Sequence, residues 1–268
     1  MGYTVFVASH IGNSRENHED NYLLGRQYMS PEQVKSMAEL RRLYSEIKEF
    51  SDDFCVAVSD GMGGYECGEV ASLMTVKYLA DHYEDLLDTV KSGENKLSVF
   101  VTDLNNYVCR EAEKKPDTRN MGATLCGVIC TDGKVTGFNV GDSRLYQYSN
   151  GILKQISVDN TEGQRLLGLG LLSEEEVKTF PKKKAIYKYI GKDTELIPDL
   201  YDLGDITKNS MLLLCSDGLS DVLDMEEIQD MLSKQNIKTE DKGKFLVEMA
   251  VEKKPDAGDN ITLILIEN

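Results

Sequence analysis

The chain has 268 residues, 41% hydrophobic and 28% charged, a globular rather than a disordered composition and enough for one well-buried core. A formal net charge of −16 argues against nucleic acid and anionic membrane as partners, since both need a basic surface. No apolar run reaches the roughly 18–20 residues that cross a bilayer, and the start, Met1-Gly2-Tyr3-Thr4-Val5, has no basic leader pattern, so a cytoplasmic protein is expected.

In chain order, Tyr3 to His10 reads as a strand, followed by a Gly-Asn turn and a second strand from Asp20 to Gly25. Pro31 to Phe50 places Val34, Met37, Leu40, Leu43, Tyr44 and Ile47 at helical spacing behind a Ser30-Pro31-Glu32 start, which predicts a helical insert. Phe54 to Ser59 is a short apolar run, as expected of a buried strand. Two amphipathic helices follow, the first around Val70, Leu73, Met74 and Tyr78, the second around Leu97, Phe100, Val101, Leu104 and Val108. Ala123–Thr131 and Lys134–Val140 flank Asp132-Gly133, and Arg144–Tyr148 and Ile152–Ile156 flank Asn150-Gly151. Both pairs read as hairpins.

Asp159 to Asp205 is polar and less periodic. Met211–Cys215 and Ile261–Ile266 are buried strands on either side of two helices, around Met225–Leu232 and Phe245–Val251. Hairpins and blocks of like elements, with no linker or repeat, predict a single α+β layered domain over 1–268. The six cysteines include no C-x-x-C pair. Cys55, Cys126, Cys130 and Cys215 lie in apolar runs, as reduced core thiols would.

Acidic fragments recur at the edges of these apolar runs: His18-Glu19-Asp20, Asp60-Gly61-Met62-Gly63-Gly64, Gly141-Asp142-Ser143-Arg144, Ser216-Asp217-Gly218 and Gly258-Asp259-Asn260. Each alone reads as well as a solvated turn. Together they suit a hard divalent cation, which prefers oxygen ligands, with glycine permitting close backbone approach.

The ordered succession Gly12-x-x-Arg15-x-Asn17-x-Glu19-Asp20, Asp60-Gly61-Met62-Gly63-Gly64, Gly122-Ala123-Thr124, Gly141-Asp142-Ser143-Arg144, Ser216-Asp217-Gly218-Leu219-Ser220-Asp221 and Gly258-Asp259-Asn260-Ile261-Thr262 resembles the metal-dependent Ser/Thr protein phosphatases, the PPM or PP2C family, in its bacterial branch. The likeness runs from residue 3 to residue 266. It implies a PP2C-like αββα sandwich of two antiparallel sheets with helices outside, and a flap-like segment at about 159–205. It also implies two Mn²⁺ or Mg²⁺ ions bridged by Asp60. Glu19 and the Gly61 carbonyl would complete one site, with Asp20 touching it directly or through water, and Asp217 and Asp259 would hold the other. Asp142, with Asp217 and Asp221, would hold a third, weaker ion.

Asn260 would support Asp259, and Arg15 would bind the substrate phosphate through its planar fork. A water bridging the two ions would attack phosphorus directly. The implied partners are a phosphorylated protein substrate and an opposing Ser/Thr kinase. A phosphoprotein-binding module without turnover and a hydrolase of small phosphate esters are the alternatives.

Met62 matches the bacterial branch of the family it resembles, where many eukaryotic members have histidine, and it cannot donate a proton, which leaves leaving-group protonation to water or another residue. His18 is a candidate, against the plainer reading of a solvated turn histidine. His10 and His82 read as structural. Lys188-Tyr189-Ile190-Gly191 departs from the family's Arg-x-Leu-Gly pattern at the flap's end.

Overall fold

The computed structural model describes residues 2–51, 53–63, 67–206, 210–255 and 258–268. Gly64, which closes the Asp60–Gly64 fragment, lies outside them. The elements are β1 (Tyr3–His10), β2 (Asp20–Leu24), α1 (Pro31–Leu40), β3 (Tyr44–Phe50), β4 (Phe54–Met62), α2 (Gly68–Asp81), α3 (Tyr83–Lys91), α4 (Glu94–Ala112), β5 (Gly122–Ala123), β6 (Leu125–Thr131) and β7 (Lys134–Val140). They continue with β8 (Arg144–Ser149), β9 (Ile152–Gln155), α5 (Glu162–Gly168), α6 (Glu174–Thr179), β10 (Asp199–Asp205), β11 (Met211–Cys215), α7 (Asp217–Ser220), α8 (Met225–Ser233), α9 (Thr239–Lys253) and β12 (Ile261–Glu267).

Two antiparallel sheets stack face to face. The first runs β3-β1-β12-β11-β8-β9, the second β10-β7-β6-β4-β2, with β5 paired to the end of β4. Strand periodicity explains the layers. On β1, Val5 and Val7 point between the sheets and meet Tyr22, Val56, Val58 and Val128 in one core. Phe6 and Ala8 point the other way, into a second core with Leu246 and Val247 of α9. Leu23, Ala57 and Ile129 of the second sheet bury against Leu79, Leu86 and Val101 of α2, α3 and α4. The fold is therefore the αββα sandwich. Both faces of the central strands are covered, which is why Phe54–Val58 and Ile261–Ile266 read as unbroken apolar runs rather than alternating ones.

The two hairpin turns form as expected. Asp132 and Gly133 take φ of 52° and 78°, and Asn150 and Gly151 take 52° and 82°. Left-handed backbone at both central residues matches the twist of the flanking strands.

The insert differs from its prediction. Its helix stops at Leu40, where Arg41 takes a left-handed φ of 45°. Tyr44 to Phe50 then leaves helical geometry and pairs antiparallel with β1. Leu43, Tyr44 and Ile47 therefore belong to no helix. An unpaired row of N–H and C=O groups along β1 outweighs a weak local periodicity. The 159–205 segment carries α5 and α6 and ends in β10, an edge strand of the second sheet. His10 ends β1 and its Nδ1 accepts from Gly12 N at 2.9 Å, and His82, between α2 and α3, stacks on Tyr78 at 4.2 Å.

Candidate metal centre

Strand register brings the acids together. Asp20 opposes Asp60 across β2 and β4. Asp217 follows β11, Asp142 precedes β8 and Asp259 precedes β12. Cys215 pairs with both Arg144 and Leu263, so these three acids leave their strands at one edge of the first sheet. A cavity of about 270 Å³ opens there, lined by Glu19, Asp60, Gly61, Met62, Asp142, Asp217 and Asp259, with Arg15 and Ile186 beside them. Larger cavities of about 500 and 510 Å³ lie elsewhere, but the carboxylates converge on this one.

Electrostatics mark the cluster as under strain. Burial pushes Asp60 well above the usual carboxylate range, and Asp20, Asp217, Asp142 and Asp259 add to the push. Asp60 sits deep among protein atoms, while one face meets the cavity. Burial raises Asp142 to about 7, helped by Asp217 and Asp159. It raises Asp217 to about 6, with Asp221 and Asp259 adding and Lys184 opposing. Asp20 reaches about 7 through burial, although Ser216 and Thr262 hydroxyls stabilise its charge. Glu19 is raised by burial and held down by Arg15.

Main-chain clamps fix Asp60. Thr124 N donates to Asp60 O at 2.8 Å, and Thr124 Oγ1 accepts from Asp60 N at 2.9 Å. Ser143 Oγ lies 2.7 Å from the same hydroxyl, and Ser59 Oγ donates to Thr124 O at 2.8 Å. Ile190 bonds Ala123 in both directions, so the end of the flap-like segment braces this strand. Thr124→Val leaves the Asp60 N–H unpaired in a buried place. The expected cost is about 1–3 kcal/mol, read as a lower urea midpoint in EDTA, and an unchanged midpoint contradicts the clamp.

Glu19 and Gly61 share a second device. Gly61 N donates to Glu19 O at 3.0 Å. A Cβ on Gly68, at the start of α2, would sit 2.7 Å from both Glu19 Oε1 and Gly61 O. That glycine keeps a carboxylate and a carbonyl side by side. A Cβ on Gly61 itself would meet Gly68 O at 2.0 Å. Sequence reasoning missed Gly68, because Cys67-Gly68-Glu69 carries no turn or ligand signal.

Asn260 acts chiefly on the Glu19 loop. Its Oδ1 accepts from Glu19 N at 2.7 Å, and its Nδ2 donates to Ile11 O and Asn17 O. Only its backbone N–H, at 2.8 Å, reaches Asp259 Oδ1. Arg15 Nη2 donates to Asp259 Oδ2 at 2.7 Å, and its Nη1 stands 3.9 Å from Glu19. Lys184 of the flap-like segment pairs with Asp221. Arg144 forks onto Asp159 at 2.7–3.1 Å, a structural tie.

His18 is not a solvated turn histidine. It is 2% exposed, its Nε2 is 3.0 Å from Ser9 Oγ, and burial lowers it to about 3. A ring so placed is neutral near pH 7 and has no extra proton to give. It also lines a different cavity from Met62.

The donor set fits a hard divalent ion. It is all oxygen, mutually repelling and partly protonated for want of countercharge, with a glycine-lined cradle and a buried Asp20 Oδ1 that no protein group satisfies. Among the described residues no three His, Cys, Asp or Glu side chains stand poised to hold an ion. Two of the acids are engaged instead by Arg15 and Lys184.

Fold and site together define a phosphatase-type carboxylate centre. The family model for protein phosphatase 2C matches residues 45–249. The serine/threonine phosphatase stp of Listeria monocytogenes is 32% identical over 214 residues, 79% of this chain and 83% of that protein. PstP of Mycobacterium tuberculosis is 31% identical over 238 residues, 87% of this chain and 44% of the relative.

Among solved structures, a serine/threonine phosphatase of S. agalactiae superposes with a TM-score of 0.80 at 24% identity over 99% of each chain, which speaks to the fold alone. The catalytic domain of PstP in complex with two manganese ions superposes at 0.74 with 27% identity, over 100% of this chain and 99% of that one. The chain belongs to the protein phosphatase 2C family and is an enzyme of that class, a phosphoprotein phosphatase.

Proposed function

We propose that this protein hydrolyses phosphoserine and phosphothreonine in proteins at a centre of two Mn²⁺ or Mg²⁺ ions, reversing a Ser/Thr kinase. The observation that carries the reading is the convergence of Glu19, Asp60, Asp142, Asp217 and Asp259 on one cavity with Arg15 at its side. Asp60 is assigned to both ions, Glu19, Asp20 and the Gly61 carbonyl to one, and Asp217 and Asp259 to the other. Asp142, Asp217 and Asp221 are assigned to a third.

Bound there, such ions supply Lewis-acid activation of a water and neutralise charge on the transferring phosphoryl group. The chain's residues do the rest. Arg15 is half exposed, so its fork can exchange Asp259 for two phosphate oxygens. Thr124 holds Asp60 rigid. Ile186 closes one wall of the cavity and limits water entry. Met62 offers no proton and His18 faces elsewhere, so the leaving alkoxide takes its proton from solvent.

Among the described residues no helix is long and apolar enough to cross a membrane. Four of the cysteines are buried as thiols, which supports the reducing cytoplasm as the compartment. The test is phosphate release from a phosphothreonine peptide and from p-nitrophenyl phosphate, with EDTA, Mg²⁺ or Mn²⁺. Metal-restored release with kcat/KM favouring the peptide supports a protein phosphatase. Preference for the small ester moves the reading to a small-molecule hydrolase, and no release from a folded sample moves it to a phosphoprotein-binding module.

A further inference from the structure

A second cavity, of about 510 Å³, lies under the insert helix α1 and is walled on one side by His18, Asp20 and Asn21. Its size suits a small molecule. Val34 and Ala38 of α1 face Val70 and Leu73 of α2 across it, and His18 forms part of the wall. His18 Nδ1 is buried and meets no hydrogen-bond partner, a state that native interiors rarely leave unexplained. The Asp20 main chain lies near the ring but closes no hydrogen bond to Nδ1. Glu16, Asp20, Glu39 and Glu69 line the cavity against a single Lys35, so the enclosure is acidic and disfavours anions.

The other side of the His18 ring is wired to the catalytic end. Nε2 lies 3.0 Å from Ser9 Oγ, which lies 2.7 Å from Thr262 Oγ1. Thr262 N donates to Ser216 Oγ at 3.0 Å, and Ser216 Oγ donates to Asp20 Oδ2 at 2.7 Å. The helix above the cavity is anchored at both ends to functional segments. Before it, Met29 exchanges two hydrogen bonds with the Asn21 side chain, next to Asp20. Behind it, Arg41 donates to the carbonyls of Asn13 and Arg15, at 3.1 Å each. A body lodged under α1 therefore presses on the strand that carries Asp20 and on the loop that carries Arg15.

We propose that this cavity is a regulatory site for a compact amphipathic molecule, with an aromatic or branched aliphatic body between α1 and α2 and one alcohol or amine head on His18 Nδ1. Occupancy shifts the Asp20 strand and the Arg15 loop through the two anchors of α1. The binding stands on the cavity alone. Its consequence for metal affinity rests on the two-ion reading above.

The test uses full-length, Mg²⁺-saturated protein, uniformly ¹⁵N-labelled, with benzylamine, benzyl alcohol and benzoate as probes. Only three histidines are present, so the His18 ring nitrogens are readily assigned. The expected result is a saturable shift of the His18 Nδ1 resonance with the amine or the alcohol, and none with benzoate. Ala38→Phe fills the cavity and is expected to weaken that binding by about tenfold or more; because it occupies the same space, it is also expected to move Mn²⁺ affinity in the same direction as the bound probe.

Calorimetric Mn²⁺ affinity should change in the presence of the bound probe, reciprocally with probe affinity. A His18 resonance that no probe moves up to its solubility limit, benzoate binding equal to benzylamine, or binding undiminished in Ala38→Phe overturns the site. Probe binding that leaves Mn²⁺ affinity and the phosphopeptide KM unchanged overturns the regulatory role. Because the ring signal needs no catalysis, it reports on the site even if the protein proves not to hydrolyse phosphoproteins.

Discussion

Asp60→Asn is expected to lose at least about 10³-fold in metal-dependent phosphate release while the metal-free protein becomes more stable. Asp60 is assigned to both ions, and an amide carries neither the charge nor the second anionic oxygen that bridging needs. The clamp on this residue runs through its main chain, from Asp60 N to Thr124 Oγ1 and from Thr124 N to Asp60 O, so the substitution leaves it intact. What the substitution removes is a buried carboxylate pressed by Asp20, Asp217, Asp142 and Asp259. Relief of that repulsion should raise metal-free stability on the order of 1 kcal/mol, or roughly 2–4 °C in Tm. Activity lost together with stability would indicate a folding defect. Phosphate release within about tenfold of the unsubstituted enzyme at saturating Mn²⁺ would contradict the assignment.

The second large effect is the dependence of metal-free stability on pH. Burial and mutual repulsion raise Asp20 and Asp142 to about 7 and Asp217 to about 6 in the folded chain, against 3.8 for an ordinary aspartate, and raise Asp60 well above that value too. A carboxyl whose folded pKa is raised binds its proton more tightly folded than unfolded. Its stabilising contribution is whole below about 4 and is lost as pH climbs through about 6 to 7. His18 and His10 are lowered by burial and act in the opposite sense, favouring the fold as pH rises toward 6.5. With Glu19, also raised by burial, five raised carboxyls outnumber these two rings, so urea midpoints in EDTA are expected to fall between pH 5 and pH 8.

With Mn²⁺ the trend reverses, because bound ions require the ionised acids and their binding releases protons. Apparent Mn²⁺ affinity should climb across the same window and level off above about 7. A metal-free protein more stable at pH 8 than at pH 5 would contradict the picture of a repelling, partly protonated cluster.

What was legible in the sequence follows from where its signals are local. Each acid at a strand end sits in a short fragment that needs no partner to be recognised, and strand register then gathers Glu19, Asp60, Asp142, Asp217 and Asp259 into one cavity. The unbroken apolar runs pointed to strands with both faces covered. What escaped was decided by tertiary contact. Tyr44 and Ile47 keep helical spacing with Leu40, yet β1 offers an edge and they join it. His18 looks like part of a polar turn, yet its ring is buried against Ser9. Gly68 has an ordinary sequence context and becomes meaningful only when Glu19 and Gly61 close around it. Asn260 adjoins Asp259 in the chain, but its side chain reaches back to the Glu19 loop, a contact no spacing rule contains.

The most direct test of the central claim is a calorimetric titration of the metal-free protein with Mn²⁺ at pH 6, in two buffers of different ionisation enthalpy. Two ions per chain at micromolar or tighter affinity are expected, with net proton release on binding and loss of that stoichiometry in Asp60→Asn. A chain that takes up no Mn²⁺ at millimolar concentration, or binds it equally well without the Asp60 carboxylate, would contradict it.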